Sequence, residues 1–308
     1  MWSSSSPRDM YSASPPNNSK QAFLYLKQAY FLDWLIIGLF GILLPFFLKS
    51  TFRPVRRPVA SNDPQFSHPF LQDIVSTEWC TIGSFCIPSL FAVFIEWRQW
   101  RRTKRLVTAI FNLHMFLLGL LESTLFTVTL TEILKLVAGR PRPYYLSICE
   151  PLDVGDDVGI HSSSLCRGED TDPHLASQLD EARKSFPSGH TSLAFASAMY
   201  FTFKLMTTFK DSFHRTWQLI LLLCPLLLAF LVGISRTLDY HHHFGDVVGG
   251  ALLGTLVAWL AFMARFGGNH PMTNRIGDED MNVGSRVARR GMLDGQEDND
   301  SLQEDSPV

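Results

Sequence analysis

Six apolar runs, each close to the length needed to cross a bilayer, limit what this chain can fold into before any motif is considered. They cover roughly Phe31–Leu48, Cys80–Trp97, Leu106–Leu136, His190–Met206, Trp217–Ile234 and Val247–Phe266. A hydrocarbon core of about 30 Å takes about 20 helical residues, and backbone surrounded by lipid must satisfy its own hydrogen bonds, as a helix does. Six near-uncharged helices would leave a soluble bundle too little amphipathic surface to meet water. The fold class expected is therefore all-α, a polytopic membrane helical bundle with six transmembrane helices. The 46% hydrophobic content and 24 Phe residues agree, with the charges pushed toward the ends. Polar tails explain why the mean hydropathy is only weakly positive. A net charge of −2, with no basic domain, gives no sign of a nucleic-acid partner.

The runs divide the chain. Residues 1–29 are rich in Ser, Pro and Asn without apolar periodicity and read as a disordered tail. They do not read as a secretory signal, since no small-residue cleavage site follows the first apolar run. Residues 268–308, with nine Asp or Glu and four Arg, read as a second, acidic tail. Between them lies a six-span domain, 30–267. "RQWRRTKR", with five Lys or Arg in eight residues, is the strongest positive-inside signal and assigns that loop to the cytoplasm. Six spans then return both tails to the same side. Lys49, Arg53, Arg56 and Arg57 crowd the first outer loop and oppose this orientation. The N-x-S sequons at Asn17 and Asn299 fall in the tails and go unused in this topology.

With that topology, three polar clusters meet the non-cytoplasmic face, each at a helix end: "KLVAGRPRP" (Lys135–Pro143), "FPSGHTS" (Phe186–Ser192) and "SRTLDYHHHFGD" (Ser235–Asp246). Charged groups near membrane depth are costly and mark function when they face an interior. Lys135, Arg142 and Arg236 bring three cations together; guanidinium forks and an ammonium suit a tetrahedral oxyanion. Ser188 and Gly189 open the fourth span, where unpaired N–H groups and the helix dipole favour an anion. His190 and one histidine of the 241–243 triplet complete such a site, one imidazole attacking phosphorus and the other protonating a departing alkoxide. Asp246, one turn beyond His242, is placed to hold a ring nitrogen. A snorkelling role suits any single cation but not the set. A metal held by His241, His242 and His243 is disfavoured, because adjacent residues point in different directions. Ser188 as nucleophile lacks its usual sequence context and ranks below histidine.

Lys135 with Arg142-Pro143, then Pro187-Ser188-Gly189-His190, then Ser235-Arg236 with His242 and Asp246, resembles in order and spacing the three-part signature of the type 2 phosphatidic acid phosphatase superfamily. The resemblance covers about residues 30–267, and the look is that of integral-membrane lipid phosphate phosphatases, including diacylglycerol pyrophosphate phosphatases. It implies His242 as a nucleophile forming phosphohistidine, His190 as general acid and Asp246 as the orienting group. Lys135, Arg142, Ser188, Gly189 and Arg236 would hold the phosphate. It implies neither metal nor cofactor, a membrane phospholipid as substrate within the bilayer, and an active site on the non-cytoplasmic face of an endomembrane (vacuole, Golgi or endoplasmic reticulum) or the plasma membrane. Homo-oligomer formation is left open. A phosphotransferase of the same fold, or a non-enzymatic lipid-binding or transport protein, are the alternatives. Tyr144-Tyr145 depart from the acidic or small residue with Phe expected there.

Four further expectations follow from the residues. Cys149 and Cys166 share the outer segment, where an oxidising lumen permits a disulfide, whereas Cys80, Cys86 and Cys224 read as buried thiols. The nine acidic and three basic residues between Tyr144 and Phe186 read mainly as solvated surface. Glu122, midway along the third span, reads as a helix–helix partner. Gly250 and Gly254 form a small-xxx-small pair that lets the last helix approach a neighbour.

Overall fold

All six apolar runs are helices. The computed structural model describes residues 30–60, 63–150, 166–209 and 215–266. Both expected tails, with their sequons, lie outside the described residues. The long helices are α1 (Phe31–Thr51), α2 (Thr77–Thr103), α3 (Leu106–Ala138), α6 (Gly189–Phe209), α7 (Thr216–Leu238) and α8 (Phe244–Phe266). Two short outer helices, α4 (Tyr145–Ile148) and α5 (Pro173–Ala182), lie between α3 and α6. No strand occurs among the described residues.

Local chemistry sets the boundaries. Ser76 caps α2, its hydroxyl accepting from the Trp79 N–H at 3.4 Å. The basic stretch forms the last turns of α2 and a two-residue turn, Lys104-Arg105, into α3. α3 stops at Gly139, in the left-handed region at φ 53°, and prolines at 141 and 143 prevent its resumption. Within α1 the segment Ile37–Leu43 widens to a π-helix, and Gly41 faces the Leu125 side chain of α3.

Five of the long helices are both long and apolar enough to cross a membrane; α6, the fourth expected span, is not among them. The reason is in its packing. α6 occupies the centre, against α2, α3 and α7, and Thr191, Ser192, Ser197 and Thr202 are buried on it. Their hydroxyls have protein partners: Ser192 shares a 2.9 Å hydrogen bond with Thr131 of α3, and Ser197 donates to the Ser84 carbonyl of α2. A helix enclosed by other helices need not be apolar all round. The outer helices instead expose Phe46, Trp79, Leu90 and Leu252, a surface suited to lipid rather than water. The chain is a multi-pass membrane protein.

One expectation changes at this level. Cys86 and Cys224 lie on the exposed apolar surface rather than inside; of these three free thiols Cys80 alone is buried. In a bilayer the outside is as hospitable to a thiol as the core. In the segment between Tyr144 and Phe186, Glu150, Asp170 and Asp172 are exposed as expected, while Glu169 and Arg183 are buried and paired at 2.7 Å, with Arg56 of the loop after α1 3.0 Å from Glu169. Cys149 and Cys166 are disulfide-bonded, within a small outer core that includes Val59, Tyr145 and Leu179. Glu122 is a helix–helix partner, as expected: Arg265 of α8 donates to it and, at 2.8 Å, to Asp33 of α1.

Gly250 and Gly254 set the contact between α8 and α6. A Cβ at Gly250 would lie 2.6 Å from the Ser188 carbonyl oxygen, and one at Gly254 2.2 Å from that of Ser192. Backbone packs on backbone there, which only glycine permits.

Candidate active site

The three polar clusters converge at one end of the bundle, around a cavity of about 930 Å³. Lys135 and Arg142 reach it from the end of α3 and the turn beyond. Gly189 and His190 come from the start of α6, Arg236 from the end of α7, and His242 from the loop before α8. Ser188 and Asp246 do not line it. Both are fully buried behind the wall.

His242 is held firmly. Its N–H donates to the Arg236 carbonyl at 3.0 Å, and its Nδ1 lies 2.7 Å from the Ser185 carbonyl oxygen. A carbonyl only accepts, so Nδ1 carries the proton and Nε2 presents a lone pair. Burial pushes this imidazole down to about 3, with Asp246 opposing and Arg142 and Lys135 reinforcing the shift. The ring is therefore neutral at physiological pH. Asp246 lies 3.9 Å from Nδ1, too far for a hydrogen bond. Its carboxylate instead accepts from the Ser185 hydroxyl at 2.6 Å, Arg140 at 2.8 Å and the His243 N–H at 3.0 Å. Ser185 thus stands between the aspartate and the histidine, its hydroxyl toward one and its carbonyl toward the other.

His190 places Nε2 in a buried position with no hydrogen-bond partner among the described residues. Lys135 lies over the start of α6: a Cβ at Gly189 would be 3.2 Å from its Nζ. The Ser188 N–H is not free for an anion, because it donates to the Asp246 carbonyl at 3.0 Å. The Ser188 hydroxyl accepts from Thr191 at 2.9 Å.

Each cation has an acidic neighbour. Lys135 is 2.8 Å from Glu132, and Arg142 is 3.8 Å from Glu181. Arg236 reaches Asp73 at 2.8 Å and Asp239 at 2.9 Å. Burial alone would raise the Asp73 and Asp239 carboxyls; hydrogen bonds and charge from Arg236 and His241 hold both below the ordinary carboxylate range. Asp73, Asp239 and His241 sit close enough to share a metal ion. Arg236 donates to Asp73 and lies in ion-pair range of Asp239, so the charge of both carboxylates is met by a guanidinium.

The residues missed in the sequence are those that act through the named ones. Arg140 had a signal, since "GRPRP" repeats its Arg-Pro. Ser185 directly precedes "FPSGH", and Asp239 lies inside the histidine-rich cluster. Asp73 carried none.

Residues 116–268 match the PAP2 superfamily. Two plant relatives are similar: "Lipid phosphate phosphatase 1" of Arabidopsis thaliana is 41% identical over 49% of this chain and 45% of its own length. "Probable lipid phosphate phosphatase 4" of the same plant is 30% identical over 76% of this chain and 72% of its own. A yeast relative, "Probable diacylglycerol pyrophosphate phosphatase 1" of Schizosaccharomyces pombe, is 31% identical over 69% of this chain and 73% of its own. The match spans only about half the length of Lipid phosphate phosphatase 1, 45%, and of a further Arabidopsis thaliana relative, "Lipid phosphate phosphatase 2", 53%. No solved structure matches. With a relative at 30% identity matched over nearly three quarters of its length, and Lys135, Arg142, His190, Arg236 and His242 of the signature gathered at one cavity, the chain belongs to the PAP2 superfamily.

Proposed function

We propose that the chain is a metal-independent lipid phosphate phosphatase. It hydrolyses phosphomonoester or diphosphate headgroups of membrane lipids such as phosphatidate, lysophosphatidate and diacylglycerol pyrophosphate. Its domain, 30–267, crosses the membrane six times between two cytoplasmic tails, with α6 as the enclosed span. The active site faces the non-cytoplasmic side of an endomembrane or the plasma membrane. One observation carries the reading: a single cavity meets Lys135, Arg142, Arg236, His190 and His242 at its polar end and continues between Phe85 of α2 and Leu121, Leu125 and Val128 of α3. From Lys135 to Leu121 is fourteen residues of α3, about 21 Å at about 1.5 Å per residue. That depth suits an aliphatic chain.

The phosphoryl group sits among the three cations, at the start of α6. His242 Nε2 attacks phosphorus; the new P–N bond forms as the P–O bond to the lipid breaks. His190, protonated in the substrate complex, gives its proton to the departing alkoxide. The imidazole charge that develops is stabilised by the Ser185 carbonyl at Nδ1 and by Asp246 beyond it. Water then attacks the phosphohistidine, His190 takes the proton, and inorganic phosphate leaves as the P–N bond breaks. The purified full chain, tested on those three lipids in mixed micelles, should release inorganic phosphate without any added acceptor. Transfer of the phosphoryl group to an alcohol acceptor in place of free phosphate would make it a phosphotransferase; lipid binding without turnover would make it a carrier.

A further inference from the structure

The loop between α1 and α2 lies wholly outside the stretch matched to the family, 116–268, yet it is built into the candidate site. Its course is fixed at successive points. The Val55 N–H donates to the Leu136 carbonyl at 3.0 Å, and the His68 N–H donates to the Pro143 carbonyl at 3.1 Å. The His68 ring stacks on Tyr240 with centroids 4.4 Å apart, and Phe70 meets Tyr144 edge-on at 5.0 Å. The loop therefore touches both the segment holding Arg142 and the segment holding His242. At its end, Asp73 accepts from Arg236 Nη2 at 2.8 Å, and the Val75 carbonyl accepts from Nη1 at 3.2 Å. The same Asp73 oxygen is 3.0 Å from His241 Nε2. Arg236 is 1% exposed, so its direction is set by these partners and Asp239, not by water.

A buried guanidinium that must meet developing charge gains from being held before substrate arrives. Asp73 lines the same cavity as Arg236 and arrives from 163 residues away in sequence. We infer that Asp73 is a positioning residue: through its bond to Arg236 it aims that guanidinium at the phosphoryl group, making the first outer loop a working part of the active site. This rests on the phosphatase reading above. Removing the Asp73 charge has two opposed effects on anion binding. The cavity becomes more positive, which favours a ground-state phosphate, while Arg236 loses its direction, which penalises the transition state.

The test compares Asp73→Asn, Asp73→Glu and Arg56→Ala in the purified full chain. Arg56 pairs with Glu169 on the far side of the loop and serves as a control for general loosening. Misplacement of a catalytic group by about 1 Å costs up to about 100-fold in rate. Asp73→Asn should lower kcat at least about tenfold with KM within about threefold. Vanadate, a mimic of five-coordinate phosphorus, should lose affinity in step with kcat/KM. Asp73→Glu, which keeps the charge, should recover part of both, and Arg56→Ala should change neither. Wild-type kcat and vanadate affinity in folded Asp73→Asn would overturn the inference. So would an Asp73→Glu protein indistinguishable from Asp73→Asn, should the latter fail to fold. If the wild type releases no phosphate but is stabilised by vanadate on heating, the phosphatase reading fails and the Asp73 variants are judged by vanadate affinity alone. A wild type that neither turns over nor binds vanadate removes both.

Discussion

Gly254 offers the sharpest test of how the bundle holds its chemistry, because it lies two turns beyond Asp246 on α8 and does not itself line the cavity. In Gly254→Ala the new Cβ would be 2.2 Å from the Ser192 carbonyl oxygen and 2.8 Å from the Ala196 nitrogen. Both are backbone atoms of α6, with no side chain to turn aside. Reaching ordinary contact near 3.4 Å requires α8 and α6 to separate by about 1.2 Å. α6 begins with Gly189 and His190, and α8 follows directly from His242, so the separation moves the proposed acid from the proposed nucleophile. Overpacking of this kind costs about 1–3 kcal/mol in stability, and a displacement of about 1 Å can cost about 100-fold in rate. The expected result is a loss of about 30–100-fold in kcat/KM together with a fall of several degrees in melting temperature. The assay is phosphate release at equal concentrations of folded protein, with Gly38→Ala as control. A Cβ at Gly38 meets nothing within 4 Å, so that variant should match the wild type. A Gly254→Ala protein within twofold of wild-type turnover would refute the idea that glycine contact registers the two helices.

Three more outcomes can be measured. His242→Ala should abolish turnover and any trapped phosphoenzyme, since no atom remains to take the phosphoryl group, whereas His190→Ala should be partly rescued by an aryl phosphate that leaves without protonation; phosphate trapped on Ser188 instead would overturn this order. Activity should persist in excess EDTA with no added magnesium, and a loss restored by one divalent ion would contradict charge neutralisation by Lys135, Arg142 and Arg236. Stability should fall as the pH drops from about 6.5, because the unfolded chain then protonates His242 while the folded ring stays neutral to about 3. At pH 5 this amounts to about 2 kcal/mol, and thermal unfolding of His242→Asn should show a flatter acid limb; an unchanged slope would mean other groups govern it.

The sequence made some of this plain and could not have made the rest plain. Helices announce themselves through long apolar runs, and the proposed phosphate ligands through rare residue types at helix ends. α6 weakens the first signal because its hydroxyls face other helices, and hydropathy cannot distinguish a polar face turned inward from one turned to water. Asp73 escapes the second because an isolated aspartate in a loop looks like solvated surface until its partner, Arg236, is placed beside it. Ser185 escapes for a different reason: its contribution to His242 is a backbone carbonyl, which every residue possesses. Asp246 illustrates the limit of spacing. One helical turn brings it near His242, but a loop conformation, not a helix, decides that Ser185 comes between them.

The polar character of α6 has a consequence for how the chain enters the membrane. Alone in lipid, a helix bearing Ser192, Ser197, Thr202 and Lys204 would face the hydrocarbon with groups that in the folded bundle meet Thr131, Ser84, Leu222 and Glu96. Three of those partners, on α2 and α3, are synthesised before α6, and one, on α7, comes after it. As the enclosed span proposed above, α6 is expected to enter the bilayer with its neighbours rather than as an independent unit. A chain released after Phe209 lacks the Leu222 partner on α7, so it should present Thr202 of α6 to quality control without that contact.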